Sequence, residues 1–210
     1  MYCMTTQLNP KAGLDQKNFE DSIRDTVASL SHNGILNLGR NLEGSFGTGE
    51  YTCDFLSIHS QQEILDVLTQ LNITSNIDLV IHQPIAGALR SPQLKNGISR
   101  TLLLKVKEDA TEDQLYGLEN DTLAMPDHLQ GICNWSFSRT VDNSKWSHVW
   151  QQEYANLGDL TGEYMTHPYH WAWVDRWFDS EIPEHCVEST LCHAFCELPS
   201  SLLAEIDKMI

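Results

Sequence analysis

Apolar and polar positions change their period along the chain in a repeating order. YCMTTQLN, from Tyr2 to Asn9, reads as a short first strand. NFEDSIRDTVASL follows, with Phe19, Ile23, Val27 and Leu30 on one helical face, the spacing that buries one stripe of a helix. GILNLGRNL, from Gly34, is a second strand, GSFGTG is a glycine-rich turn, and YTCDFLSI, from Tyr51, alternates as a third strand. Ser60 and Glu63 form an S-x-x-E capping box ahead of Ile64, Leu65, Leu68 and Leu71. IDLVIHQPI, from Ile77, is a fourth strand, and residues Ala86 to Gly97 are turn-rich.

The same order then recurs. SRTLLLKVK, from Ser99, is a strand, and Thr111 with Gln114 forms a second capping box. GICNWSFSRTV and WSHVWQQEY are strands separated by the turn VDNSK. A helical region runs from about Asp159 to about Ser180. STLCHAFCEL is a last strand, and SSLLAEIDKMI makes a C-terminal helix with Ser200 as its cap. Two successive β-α-β-β-α-β units predict an α+β protein of two tandem ferredoxin-like halves. The bare face of each four-stranded sheet needs a cover, and the other sheet supplies one. The expected architecture is therefore an intramolecular α+β barrel, a pseudo-dimer within one chain. Its units are 1–90, 98–198 and a C-terminal helix over 199–210.

Composition narrows the function classes. The chain has 210 residues and a net charge of −16. Such a field repels phosphate backbones and anionic lipid surfaces, so neither nucleic acid nor membrane is an expected partner. No apolar run approaches the roughly 20 residues of a membrane span, and MYCMTTQLNPKAG lacks the pattern of a signal peptide. A soluble cytoplasmic protein is expected. The six cysteines form no C-x-x-C pair and read as free thiols, with Cys192 and Cys196 on one strand face and His193 on the other.

Chemistry-bearing residues concentrate in the second half. It holds all six tryptophans and six of the nine histidines. The first half reads as a structural partner. In EYMTHPYHWAWVDRWF, Glu163 to Phe178, three readings are open. His167 and His170 stand three apart, as metal ligands can, but Pro168 starts a helix between them and no H-E-x-x-H or neighbouring acid completes a set. No metal is expected. Alternatively Tyr164, His170 and His148 form an acid–base group, in which an imidazole takes a proton and a phenol supports a developing enolate. Third, Trp171, Val174 and Phe178 follow helical spacing and simply pack.

Three passages carry a family resemblance: SRTLLLKVKEDATEDQL, MPDHLQGICNWSFSRTV, and WSHVWQQEY with EYMTHPYHWAWVD. From about Ser99 to Leu198 the chain resembles the Dabb, or stress-responsive A/B barrel, domains, and H-P-x-H is the most specific part. The first half resembles a degenerate copy without H-P-x-H. The resemblance implies ferredoxin-like domains that pair into a barrel. It extends to the family's polyketide cyclases of the olivetolic acid type, which close rings by an aldol step without metal or organic cofactor. By that likeness Tyr164 and His170 would be catalytic and His148 would line the pocket. Arg100 stands where the family has a histidine, and Tyr169 where a small residue is common. The implied activity is a cofactor-independent lyase or cyclase acting through an enolate on a polyketide-like or aromatic keto compound. Arg100, His167, Trp135, Trp150 and Trp171 would bind it. The other class implied is a non-catalytic, stress-responsive small-molecule-binding protein. The expected partners are the small molecule and a second copy of the chain.

Overall fold

The computed structural model describes residues 1–141 and 144–209. The expected VDNSK turn falls partly on 142–143 and so lies partly outside the described residues. The elements follow the predicted order: β1 (Tyr2–Pro10), α1 (Gln16–Leu30), β2 (Leu36–Arg40), β3 (Tyr51–Ser57), α2 (Gln61–Gln70) and β4 (Thr74–Leu89). The second series is β5 (Lys95–Leu104), α3 (Glu112–His128), β6 (Ile132–Thr140), β7 (His148–Tyr154), a helical region over 157–177, β8 (Cys192–Ser200) and α4 (Leu202–Asp207).

Local sequence explains most of these elements. Phe19, Ile23, Val27 and Leu30 are all buried on α1, each contributing about 1.5–3 kcal/mol for the large side chains. Asp15 caps α1, and both capping boxes form, Ser60 with Glu63 and Thr111 with Gln114. Ser201, not Ser200, caps α4 by accepting from the Ala204 N–H. Of the expected turn-rich stretch 86–97, only 90–94 turns; 86–89 and 95–97 are strand. β4 pairs with β1 up to His82 and then runs on beside β6 to Leu89. Pro84 is tolerated because the ladder shifts register between Pro84 and Ala86, where a missing N–H costs least.

The strand order is β2-β3-β1-β4-β6-β7-β5-β8, antiparallel throughout. Each half has the ferredoxin-like order, and β4 against β6 joins them. The expected closed barrel is not formed. The sheet has two edges, β2 and β8, and no ladder connects them. β2 is only five residues long. Its Gly39 lies directly over Cys196, where an added Cβ would stand 2.6 Å from the sulfur. The edges therefore meet backbone onto side chain rather than edge to edge. Beyond β2 the chain makes only isolated bridges to β8, Asn41 with Cys196 and Phe46 with His193. Gly39→Ala is expected to lower stability by about 1–3 kcal/mol through overpacking at this seam. A urea midpoint unchanged from wild type would show that the seam yields freely.

The helices of each half cover the outward sheet face, and the inward faces meet each other. Val80, Leu103, Trp146, Val149, Cys192 and Ala194 are buried together there. A polar chain crosses the same interior. His82 Nε2 lies 3.2 Å from Thr5 Oγ1, which donates to Asp54 Oδ1, while Thr101 of the second half donates to Asp54 Oδ2 at 3.2 Å. Burial pushes the Asp54 carboxyl up to about 6, against these hydrogen bonds. Burial alone pushes His82 down to about 3. All six cysteines are free thiols, and Cys192 and Cys196 are buried.

Candidate functional site

A cavity of about 330 Å³ lies between the outward face of the second half's sheet and its helices. Alternation along the strands sets its floor: Arg100, Leu102 and Leu104 from β5, Trp150 from β7, and His193 and Phe195 from β8. α3 contributes Thr122 and Met125, and the helical region contributes Tyr164, His170 and Val174. The remaining wall comes from the first half. Glu43, Gly44 and Phe46, in the loop after β2, line the cavity. That loop is fixed on β8 by Leu42 N–H to Phe195 O and by paired bonds between Phe46 and His193. The first half is thus more than a structural partner.

The helical region is broken at His167 and restarts at Pro168, as the sequence implied. His167 caps the restart: its Nδ1 accepts from the Tyr169 N–H at 3.1 Å. From His170 to Val174 the backbone is π-wound, and the Asp175 N–H bonds to the His170 carbonyl. The i→i+5 winding, common at functional sites, brings the two side chains together. Asp175 Oδ2 lies 3.3 Å from His170 Nδ1. The alignment is off-line, so the carboxylate stands beside Nδ1 without a full hydrogen bond.

Tyr164 is buried, and its ring centre lies 4.7 Å from that of His170. Arg100 sits over the Tyr164 ring at 4.9 Å. Burial holds the phenol above its ordinary range, although Arg100 and the Trp150 indole face it as donors. The Trp150 contact is too poorly aligned to satisfy Nε1. Arg100 is held on both sides: Nε donates to His193 Nε2 at 2.9 Å, and Nη1 donates to Gln152 Oε1. His193 is pushed down to about 3 by burial and by the neighbouring guanidinium. It is therefore a neutral acceptor on Nε2, stacked under Phe46 with ring centres 5.2 Å apart.

The cavity gathers four of the eight residues picked from sequence: Tyr164, His170, Arg100 and Trp150. His148 lies elsewhere. Its Nε2 contacts Glu119 at 3.0 Å and its Nδ1 contacts the Ser147 hydroxyl at 2.8 Å. Arg139 holds the same Glu119 bidentately. Burial would raise that carboxyl, but these partners pull it down to about 2. Trp135 packs behind Trp150 at 5.5 Å and does not line the cavity. Trp171 is 62% exposed, and its indole caps the Met165 carbonyl. Val174 and Phe178 do pack as expected, Val174 buried and Phe178 half-buried against the core, and Trp177 rather than Trp171 is the buried tryptophan beside them. Trp171→Ala is expected to shift stability by less than about 0.5 kcal/mol and to leave ligand affinity unchanged. Calorimetric titration of both proteins with one ligand checks this. Sequence reasoning missed Asp175, His193, Gln152 and the 43–46 loop as site elements.

Among the described residues, no group of three or more His, Cys, Asp or Glu side chains is placed to hold a metal ion. Nor is any described helix long and apolar enough to cross a membrane.

Residues 98–190 match the family model of the Stress responsive A/B Barrel Domain. The match spans the strands and helices that build most of the cavity and leaves the first half outside. No curated protein matches the chain in sequence. Among solved structures, the chain is similar to a putative monooxygenase from Lactobacillus acidophilus NCFM, with TM-score 0.57 and 12% identity over 95% of this chain and 97% of that one. An anthrone oxidase-like protein gives TM-score 0.65 at 9% identity, over 93% and 90%. A mutant chlorite dismutase from Candidatus Nitrospira defluvii gives 0.53 at 9%, over 99% and 94%. At such identities the likeness shows a shared ferredoxin-like fold across both halves, and the fold alone does not fix a function.

Proposed function

We propose that the cavity is a cofactor-independent acid–base site that enolises a flat keto compound. The observation that carries this reading is the His170–Tyr164 pair, ring centres 4.7 Å apart in a largely apolar cavity. Asp175 faces Nδ1 of His170, so Nε2 is the proton acceptor. It removes a proton from the carbon beside a carbonyl, and the C–H electron pair moves into the enolate. Tyr164, held neutral by burial, donates its O–H to the enolate oxygen. Asp175 steadies the imidazolium. Attack of the enolate carbon on a second carbonyl completes an aldol closure. Isomerisation begins with the same proton abstraction, while retro-aldol cleavage and decarboxylation reach the same enolate by breaking a C–C bond, the electron pair of which Tyr164 would stabilise in the same way. The polyketide cyclases resembled by the second half are one form of this lyase or cyclase chemistry.

The first half is read as a diverged copy of the second, supported by its matching strand order. The units 1–90, 98–198 and 199–210 follow from that reading. Incubation in heavy water with a panel of aryl β-diketones and aromatic keto acids tests the activity, with deuterium counted by mass spectrometry. Exchange above the protein-free rate is expected. Binding of panel members without exchange would reassign the cavity to the other class, a non-catalytic stress-responsive binding protein. Oxygen uptake on the same panel separates enolisation from the oxygen-dependent chemistry named for two of the fold neighbours.

A further inference from the structure

Arg100 is a buried cation whose charge the protein leaves unanswered. It is 3% exposed, and burying a charge is unfavourable unless it is paired. Its full hydrogen bonds go to Gln152 and His193, it also faces the Tyr164 phenol as a donor, and all three partners are neutral. Two of its five N–H donors make those two full hydrogen bonds. Among the described residues no carboxylate lies within ion-pair distance of the guanidinium. Of the two that line the same cavity, Asp175 stands beside His170 and Glu43 is exposed to solvent. Two arginines that keep far more contact with solvent nevertheless have a carboxylate partner. Arg139 meets Glu119 bidentately and Arg176 meets Asp121. The register explains why the group is fixed in place: Arg100 lies between Gln152 on β7 and Phe195 on β8. Three strands thus hold a fork-shaped donor against an apolar cavity.

We propose that Arg100 is the receptor for a carboxylate on the ligand, so that the site takes flat, unsaturated or aromatic keto acids in preference to neutral ketones. Gln152 and His193 position the guanidinium, and the carboxylate completes its pairing when the ligand enters. An Arg–carboxylate pair of this kind is charge-assisted and direction-specific. It also orients the keto group toward Tyr164, whose ring lies beneath the guanidinium. The inference rests on the cavity reading above for its keto chemistry, but not for its binding step.

The test pairs 2-naphthoate with 2-naphthamide, which share shape and differ in charge. Calorimetry on the wild type is expected to show the acid bound at least ~30-fold more tightly, in line with a hydrogen-bonded charged group. Arg100→Gln is expected to lose that preference while still binding the amide. Equal affinity of the wild type for acid and amide overturns the proposal, as does an Arg100→Gln protein that keeps the preference. If the variant fails to fold, the acid–amide comparison on the wild type still decides. Exchange into phenylpyruvate and its methyl ester separates the two claims. Equal exchange on acid and ester sinks the carboxylate receptor and leaves the enolising site standing. Selective binding of the acid with no exchange does the reverse.

Discussion

His170→Ala is expected to lose about 10²–10⁴-fold of the carbon-bound exchange rate, the usual contribution of a positioned general base. The side chain is 88% buried at the cavity wall, with 12% exposed, and Asp175 already stands on its far nitrogen. Its removal takes away the proton acceptor and leaves the apolar walls unchanged, so ligand affinity should move far less than rate. Tyr164→Phe keeps the ring beneath Arg100 and deletes only the hydroxyl, and a loss of about 10²-fold is expected from one missing oxyanion donor. Asp175→Asn should lose less than either, because Asp175 orients and neutralises without receiving the proton. Circular dichroism and thermal unfolding of each variant separate lost chemistry from lost fold. A His170→Ala protein that folds and exchanges at the wild-type rate would assign the proton transfer to another group.

The second large effect concerns stability against pH, through Asp54 and His82. An unfolded aspartate titrates near 3.9 and an unfolded histidine near 6.5. In the folded protein Asp54 is raised to about 6. Its contribution is therefore full below about pH 3.9 and is lost as pH rises through 6. His82 is lowered to about 3, so its contribution is full above about pH 6.5 and is lost as pH falls through 3. Between about pH 4 and pH 6 the folded state gains one proton at Asp54 and gives up one at His82. The two slopes, each ~1.4 kcal/mol per pH unit, cancel in the wild type. Asp54→Asn should uncover the histidine slope: relative to wild type, its stability rises with pH across this window. His82→Gln should uncover the opposite slope, and the double variant should run parallel to wild type. Urea unfolding at pH 4, 5 and 6, taken as differences from wild type, removes the contribution of every other carboxylate. Flat differences for both single variants would show that neither group keeps its proton state against burial.

The two repeats were legible in the chain because each element carries a local signal. The α1 face of Phe19, Ile23, Val27 and Leu30 and the two capping boxes are short-range patterns, and the structure repeats them. Pro168 marked the helix restart for the same reason. What the sequence hid depends on long-range register. The run of β4 to Leu89 is decided by pairing with β6, which overrides Pro84 and Gly87. The meeting of the two sheet edges, with Gly39 packed on Cys196, is likewise a contact between residues far apart in sequence.

The candidate site divides along the same line. Tyr164 and His170 were legible from the H-P-x-H helix start, and Arg100 and Trp150 were expected from the family resemblance. Asp175 was missed because α-helical spacing pairs i with i+3 or i+4, whereas this turn is π-wound and pairs i with i+5. His193 was recognised as facing away from Cys192, but its bond to Arg100 follows only from the β5–β8 register. His148 shares a strand face with Trp150, yet Glu119 and Ser147 hold it outside the cavity.

The most direct measurement is the absorbance of an aryl β-diketone bound to the wild-type protein, at a pH where the free compound is un-ionised and with saturation shown by calorimetry. Stabilisation of an enolate by Tyr164 and His170 predicts that the red-shifted enolate band grows in with binding and is absent from Tyr164→Phe saturated with the same compound. A saturated wild-type complex whose spectrum stays that of the neutral diketone would contradict an enolate-stabilising site.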